Sequence, residues 1–350
     1  MAATYEQAIY QKGPGGSAAP TRVALLGAGT VGGGLMRLLR RRPEFEVVGV
    51  LVRDASKPRD FREWRELVTT DEGVLSGADV VVEVAGGTDV AADLSLAQLA
   101  AGKRLVTANK AALAERWHEY LPHMTQGRVY FEAAVMAGTP AVGVLAGALR
   151  GSTPLSLHAV LNGTCNVISS MMDEGAEFGA ALAEAQRLGY AEADPTLDVA
   201  GVDAAHKLAV LGRLAFDPGL TWPAVRANTR GIDGLTASLL AAQADRGRRV
   251  RLVGSVVAVA GSWEARVRPV SLPEGHPLLT LGGSNTLLYR GDPVGEVLVR
   301  GAGAGGGATA SGVLADLLAA AAGVSGPRPL WEAAPVPDSP ADSGDGVEEL

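Results

Sequence analysis

Asp203 and Lys207 stand four residues apart within 202–214, a stretch whose apolar residues recur at helical spacing. On a helix both side chains lie on one face and can reach one ligand. An ordinary ion pair has the same spacing and contributes only about 0.3–0.5 kcal/mol, so spacing alone leaves both uses open. Just upstream a helix ends at Gly189, suited to a left-handed cap, and a loop carries Glu192, Asp194 and Asp198 around Pro195. A second pattern is Gly27-Ala28-Gly29-Thr30-Val31-Gly32, which follows a strand-like run at 22–26 and opens a helix with Leu35, Leu38 and Leu39 on one side. Strand before and helix after are what a dinucleotide fingerprint requires. Gly27 permits the tight turn, Gly29 lets backbone N–H groups approach a pyrophosphate at the helix start, where Thr30 and Val31 follow, and Gly32 lets the helix pack close to the sheet.

The next strand ends at Arg53-Asp54, the position where a base on a 2′-phosphate or an acid on the ribose diol selects the cofactor. Arg53, with Lys57 and Arg59 behind it, favours NADP; Asp54 keeps NAD open. Asn109 and Lys110 follow another strand end, the edge where ligands bind in open α/β sheets.

These residues need elements to hold them. Strand-like runs at 22–26, 45–52, 80–84, 105–107 and 129–131 alternate with helical runs at 31–42, 88–101 and 111–125. The alternation predicts an α/β fold, a Rossmann-type parallel sheet with helices on both faces. From about Ser152 the pattern becomes α+β: strands at 155–161, 249–260 and 263–270, and helices at 167–174, 178–188 and 202–214. A Gly-rich run, 301–307, leads into a helix at 308–321, as a linker or as a turn that brings backbone to a ligand. The division expected is a flexible leader (1–20), a dinucleotide-binding domain (21–140), a substrate-binding, catalytic and dimerisation domain (141–300), a turn and helix returning to the nucleotide domain (301–322) and a flexible tail (323–350).

At 350 residues and 47% hydrophobic side chains the chain can bury a full core. Its net charge of −7 is spread without a basic face, which argues against nucleic acid or an anionic membrane as partner and for small-molecule ligands. Cys165 is the single cysteine, so no intrachain disulfide can form, and the five histidines show no zinc spacing. With neither a signal-peptide pattern nor a membrane-length apolar run, the expected place is the cytoplasm.

The stretch from Ala185 to Lys207, with its Gly, Asp-Pro, Asp, Gly, Asp and Lys in order, resembles the signature of homoserine dehydrogenases. The resemblance runs from Val23 through Val82-Glu83-Val84-Ala85-Gly86-Gly87-Thr88, Thr107-Ala108-Asn109-Lys110, Glu132-Ala133-Ala134-Val135 and Asn162-Gly163-Thr164, and covers roughly residues 21–322. It implies NADP- or NAD-dependent interconversion of L-homoserine and L-aspartate 4-semialdehyde, in threonine, methionine and isoleucine biosynthesis. Lys110 and Lys207 would be two active-site lysines on opposite domains, with Asp203 near the reacting hydroxyl. Their ammonium groups would stabilise the developing oxyanion; in the oxidative direction one must accept a proton, which desolvation and a second cation favour by depressing its pKa. The resemblance further gives Glu192 to the substrate ammonium, Asp198 beside it, and Gly163 and Thr164 to the carboxylate. Gly86, Thr88, Lys110 and Gly303 join the cofactor set. It also implies a sodium site on Glu132 and the carbonyls of Val135, Ala137 and Thr139, a homodimer to which 249–270 could contribute, and a monofunctional enzyme without a regulatory ACT domain, insensitive to allosteric threonine. Two rivals are a related dehydrogenase of the aspartate dehydrogenase type and a non-catalytic dinucleotide sensor; the lysine pair and the loop acids argue against both.

Overall fold

The computed structural model describes residues 19–59, 61, 63–280, 282–337 and 347–350; most of the expected leader lies outside these residues. Six strands form the first sheet: β1 (Thr21–Leu26), β2 (Phe45–Leu51), β3 (Val68–Thr69), β4 (Val80–Glu83), β5 (Arg104–Thr107) and β6 (Val129–Tyr130). Every pairing is parallel and the order is β3-β2-β1-β4-β5-β6, the doubly wound arrangement with its switch point between β1 and β4. Val80, Val81 and Val82 are completely buried, as expected where helices cover both sheet faces.

The helices that matter for the site are α1 (Thr30–Leu39), α2 (Val90–Ala100), α3 (Lys110–Glu115), α4 (Trp117–Thr125), α5 (Gly163–Asp173), α6 (Phe178–Arg187), α7 (Val202–Ala215) and α8 (Gly306–Ala321). The single helix expected over 111–125 is two. Arg116, at φ −115°, separates them, and its guanidinium is held by Asp93 at 2.6 Å, Glu119 at 2.6 Å and the Thr88 carbonyl at 2.9 Å.

The second sheet contains β7 (Thr153–Val160), β8 (Arg248–Val259), β9 (Ser262–Pro273), β10 (Ser284–Asp292), β11 (Gly295–Ala302) and β12 (Glu348–Glu349), in the order β11-β10-β7-β8-β9-β12 and antiparallel throughout. The hairpin of β10 and β11 adds to the strands expected at 155–161, 249–260 and 263–270. Its signal is in the sequence, since the runs Thr286-Leu287-Leu288-Tyr289 and Val297-Leu298-Val299 flank the turn sequence Asp292-Pro293-Val294-Gly295. Helix α7 packs across β8 and β9, where Gly254 meets the Leu208 side chain.

Helix α8 returns to the first sheet. An added Cβ on Gly34 would lie 2.9 Å from the Gly306 carbonyl, so α1 and α8 cross with backbones nearly touching. Of the expected flexible tail, residues 323–337 form a strap, and Glu348–Glu349 form β12. Tyr130 Oη donates to the Val324 carbonyl at 2.7 Å, Gly326 N to the Gly127 carbonyl at 2.9 Å, Arg150 to the Pro329 carbonyl at 2.9 Å and Trp263 Nε1 to the Ala334 carbonyl at 2.9 Å. Proline density removes ladder donors and argues against regular structure, yet carbonyls remain free to accept bonds, and these tie the segment to both domains. Residues 338–346 of the expected tail lie outside the described residues.

Candidate active site

A cleft of about 750 Å³ opens between the two domains, lined from the first by Val31, Gly86 and Lys110, from the second by Gly163, Thr164, Glu192, Asp198, Asp203 and Lys207, and from the returning turn by Gly303. It also reaches Val135 and Ala137. Arg53 and Lys57 lie outside it, exposed on the loop after β2. Thr88 also lies off it, with its carbonyl bound to Arg116.

The nucleotide end follows from glycines. Gly27 sits at φ +106°, where side chains are strained, and a Cβ there would lie 2.7 Å from Ala85 N. At Gly32 a Cβ would lie 2.6 Å from the Gly27 carbonyl. Gly29 differs: a Cβ there meets nothing within 4 Å, so open space stands before the first turn of α1. Gly306 abuts Thr30, a Cβ on it lying 2.5 Å from Thr30 Cγ2, so two helix starts converge there. Unpaired N–H groups and aligned dipoles suit such a place to a pyrophosphate. A nicotinamide dinucleotide fits this cradle.

Buried Glu83 at the end of β4 fixes the adjoining turn. Its carboxylate accepts Ala85 N at 2.9 Å, Gly86 N at 2.8 Å and Thr107 Oγ1 at 2.7 Å, while burial pushes the carboxyl up. Asn109 continues the chain of bonds, accepting Ala112 N at 3.1 Å as the cap of α3 and donating to the Gly87 carbonyl at 2.7 Å. The Gly86 turn and the start of the Lys110 helix are therefore one hydrogen-bonded unit.

Asp203 is the centre of charge. Its side chain is 13% exposed; Oδ2 lies 2.9 Å from Lys207 Nζ and Oδ1 3.1 Å from Lys110 Nζ. Burial alone would raise its pKa, but Lys207 and Lys110 outweigh that and hold it well below the usual carboxylate range. Lys207 also donates to the Leu161 carbonyl at 2.7 Å. The expected depression of a lysine pKa is not found at Lys110: Asp203 raises it, more than burial lowers it. The physical reason is the carboxylate standing between the two cations.

Asn162, part of the stretch Asn162-Gly163-Thr164, joins the acids to the helix start. Its Nδ2 donates to Asp198 Oδ1 at 2.7 Å and Asp203 Oδ2 at 2.9 Å, and its Oδ1 accepts Cys165 N at 2.8 Å as the cap of α5. An asparagine just before a helix start is the signal that could have marked it. Burial raises the Asp198 carboxyl against that bond. Gly163 and Thr164 open α5, so their N–H groups have no intrahelical partner; Thr164 Oγ1 donates to the Tyr190 carbonyl at 2.7 Å. Glu192 is exposed at the cleft wall. Cys165 is fully buried, and burial pushes its thiol up, which suits a packing role.

The loop expected to hold a cation is built differently at its acid. Both Glu132 oxygens accept backbone bonds, from Ala141 N (2.7 Å), Val142 N (2.9 Å) and Gly143 N (2.7 Å), so the carboxylate caps the helix Val142–Ala146. Ala137 has φ +53°, and among the described residues no hydrogen bond goes to the Ala137 or Thr139 carbonyl. Those free carbonyls are hard oxygen donors of the kind a monovalent cation takes. No group of three or more His, Cys, Asp or Glu side chains forms a metal site among the described residues.

Two family models match, homoserine dehydrogenase over residues 140–318 and homoserine dehydrogenase, NAD binding domain, over 27–132. The chain is 40% identical over 331 residues to the homoserine dehydrogenase of Corynebacterium glutamicum, covering 89% of this chain and 73% of that one. Among solved structures it resembles a homoserine dehydrogenase from Thiobacillus denitrificans, with TM-score 0.79, 38% identity and coverage of 87% of this chain and 73% of that one. It also resembles a hyperthermophilic archaeal homoserine dehydrogenase mutant in complex with NADPH, with TM-score 0.72, 25% identity and coverage of 87% and 98%.

Proposed function

This chain belongs to the homoserine dehydrogenase family, and we propose that its interdomain cleft performs the family's reaction with Lys110 and Lys207 facing the reacting oxygen. The enzyme interconverts L-homoserine and L-aspartate 4-semialdehyde. The observation that carries the assignment is the pair of lysines from opposite domains meeting at Asp203. Neither rival reading, an aspartate dehydrogenase or a non-catalytic sensor, accounts for that pair together with the acid loop.

When bound, the nicotinamide supplies or accepts the hydride. The chain's part is electrostatic and positional. Lys207 has three N–H donors, of which Leu161 and Asp203 take two, so one remains for the substrate oxygen. Lys110, kept cationic by Asp203, adds a second positive charge where an oxyanion develops on reduction and can give the proton that completes the alcohol. In oxidation a lysine must first lose its proton. Glu192 and Asp198 offer negative charge to the substrate ammonium, and the N–H groups of Gly163 and Thr164 receive its carboxylate.

For the cofactor, Arg53 and Lys57 support NADP over NAD. Gly27, Gly29, Thr30, Val31 and Gly32 would take the pyrophosphate, and Gly86, Lys110 and Gly303 would flank the nicotinamide. Thr88, off the cleft, would contribute only through the turn it ends. A sodium ion would rest on the carbonyls of Val135, Ala137 and Thr139, with Glu132 as the charge beside it. A homodimer through the second sheet is the assembly we favour; β12 already covers the β9 edge, which leaves the sheet face and β11. Among the described residues no helix is long and apolar enough to cross a membrane, and the lone buried Cys165 suits the reducing cytoplasm.

The test is absorbance at 340 nm with homoserine and each oxidised cofactor in turn. Homoserine-dependent reduction, faster with NADP, is the expected result; no reduction with either cofactor contradicts the assignment.

A further inference from the structure

The helix that presents Lys110 is six residues long, and its far end is held by the same helix that carries Asp203 and Lys207. His206 Nε2 donates to Glu115 Oε1 at 2.8 Å, joining residues 91 positions apart. The imidazole is 7% exposed and Glu115 35%. The ring is stacked on Trp222, with centroids 4.4 Å apart and planes at 27°, which fixes its plane and so the direction of Nε2. Two turns further along α7, Arg213 Nη1 donates to the Ala114 carbonyl at 2.6 Å, closing the C-terminus of α3.

Helices α3 and α7 are therefore joined by two side-chain rungs. One is Lys110 with Asp203, at the reacting end; the other is Glu115 with His206, about 7.5 Å along α3 by its rise per residue. Beside the Arg213 bond, which holds the α3 main chain at Ala114, the two side-chain rungs fix the rotation and the slide of this short helix. His206 immediately precedes Lys207, so the same rung also restrains the turn of α7 that aims Lys207.

Building on the reading of the cleft given above, we propose that His206 and Glu115 are positioning residues: their bond across the domain boundary sets the placement of Lys110 relative to Asp203 and Lys207. Neither touches the reacting atoms. A misplacement of about 1 Å in a reacting group can cost on the order of 100-fold in rate, so loss of this rung acts on turnover and leaves ligand binding nearly intact. Glutamine in place of His206 keeps a donor near the Nε2 position and restores the rung.

The experiment compares H206A, E115A, the double variant and H206Q in homoserine oxidation, with Lys110 labelling by an imidate followed by peptide mass spectrometry. The expected result is a kcat lowered about tenfold or more in H206A and E115A, with both KM values within about threefold of wild type. The double variant should be no slower than the worse single one, H206Q should recover to within about threefold of wild type, and Lys110 labelling should quicken severalfold in the alanine variants. Unchanged kcat, a loss confined to KM, an H206Q enzyme as slow as H206A, or unchanged labelling each overturns the proposal. Should H206A fail to fold, E115A and H206Q carry the same comparison. Absence of homoserine oxidation in the wild type would overturn the functional assignment, and the labelling would still decide on the rung.

Discussion

Lys110 of the nucleotide domain and Asp203 of the second domain meet across the cleft with Nζ 3.1 Å from Oδ1. Because the other oxygen of the same carboxylate holds Lys207 at 2.9 Å, one side chain sets the spacing of two cations that the sequence places 97 positions apart. The relative placement of the two domains is thus coupled to the Asp203 carboxylate.

Lys110→Ala and Lys207→Ala should each lower kcat by about 100- to 1000-fold, the usual cost of losing one oxyanion-stabilising donor. Neither touches the Gly27–Gly32 turn, and Lys110 would flank only the nicotinamide, away from the pyrophosphate, so the Kd for NADPH, read by fluorescence, should stay within about threefold. Near-normal turnover in both variants contradicts the mechanism.

The pH dependence of oxidation has a definite sign. Asp203 raises Lys110 above its ordinary value, so the ammonium persists through neutral pH, while removal of the hydroxyl proton needs a neutral lysine. The rate of homoserine oxidation should therefore climb with pH into the alkaline range. Asp203→Asn removes the charge that stabilises the cation, so the climb should begin at lower pH even though the maximum falls. Profiles of kcat/KM for the two enzymes decide it; a limb that stays put or moves up rejects lysine as the base.

The parts of this architecture that the sequence discloses are those with local signals. The Gly27–Gly32 pattern works through backbone geometry within six residues, and Asp203 and Lys207 share a face because of helix periodicity alone. What was illegible depends on distant partners. Asn162 looks like a helix cap, but its second task, bonding Asp198 and Asp203, exists only after α5 and α7 come together. A depressed lysine pKa is not found at Lys110 for the same reason: the sequence places Asp203 near both lysines, but only the folded structure puts its two oxygens between the two ammonium groups. Residues 323–337 read as a loose tail because prolines suppress local structure; their carbonyl bonds to Arg150 and Trp263 are long-range.

Two glycines of one turn should respond in opposite ways to the same substitution. Gly27→Ala strains a φ of +106° and drives a methyl to 2.7 Å from Ala85 N, so it should lower the melting temperature by several degrees, about 1 kcal/mol or more. Gly29→Ala has an ordinary φ of −78° and open space around it, so stability should be unchanged while NADPH affinity falls at least tenfold, the methyl occupying the room a pyrophosphate needs. Thermal unfolding with and without NADPH separates the two; a Gly29→Ala protein that binds NADPH normally would place the pyrophosphate elsewhere.

For the proposed NADP preference, the residues to test lie on the loop after β2. Asp54 is already engaged there: its Oδ1 accepts both Ser56 N at 2.9 Å and Ser56 Oγ at 2.6 Å, bonds that hold its pKa below the ordinary value. That Asx turn engages Oδ1 within its own loop. Arg59 is likewise committed, donating to the Asp54 and Lys57 carbonyls at 2.8 Å each. Arg53, by contrast, is exposed, and among the described residues its guanidinium makes no hydrogen bond or ion pair. A charge-assisted bond to a phosphate contributes about 1.5–3 kcal/mol, which corresponds to roughly 10- to 100-fold in affinity. Arg53→Ala should therefore raise the KM for NADP by at least about tenfold and leave that for NAD within about twofold, since NAD has no 2′-phosphate to lose. Initial rates against each cofactor at saturating homoserine give both numbers. Equal losses for the two cofactors would mean that Arg53 serves the loop and not the phosphate, and no loss for either would return the choice of cofactor to Asp54.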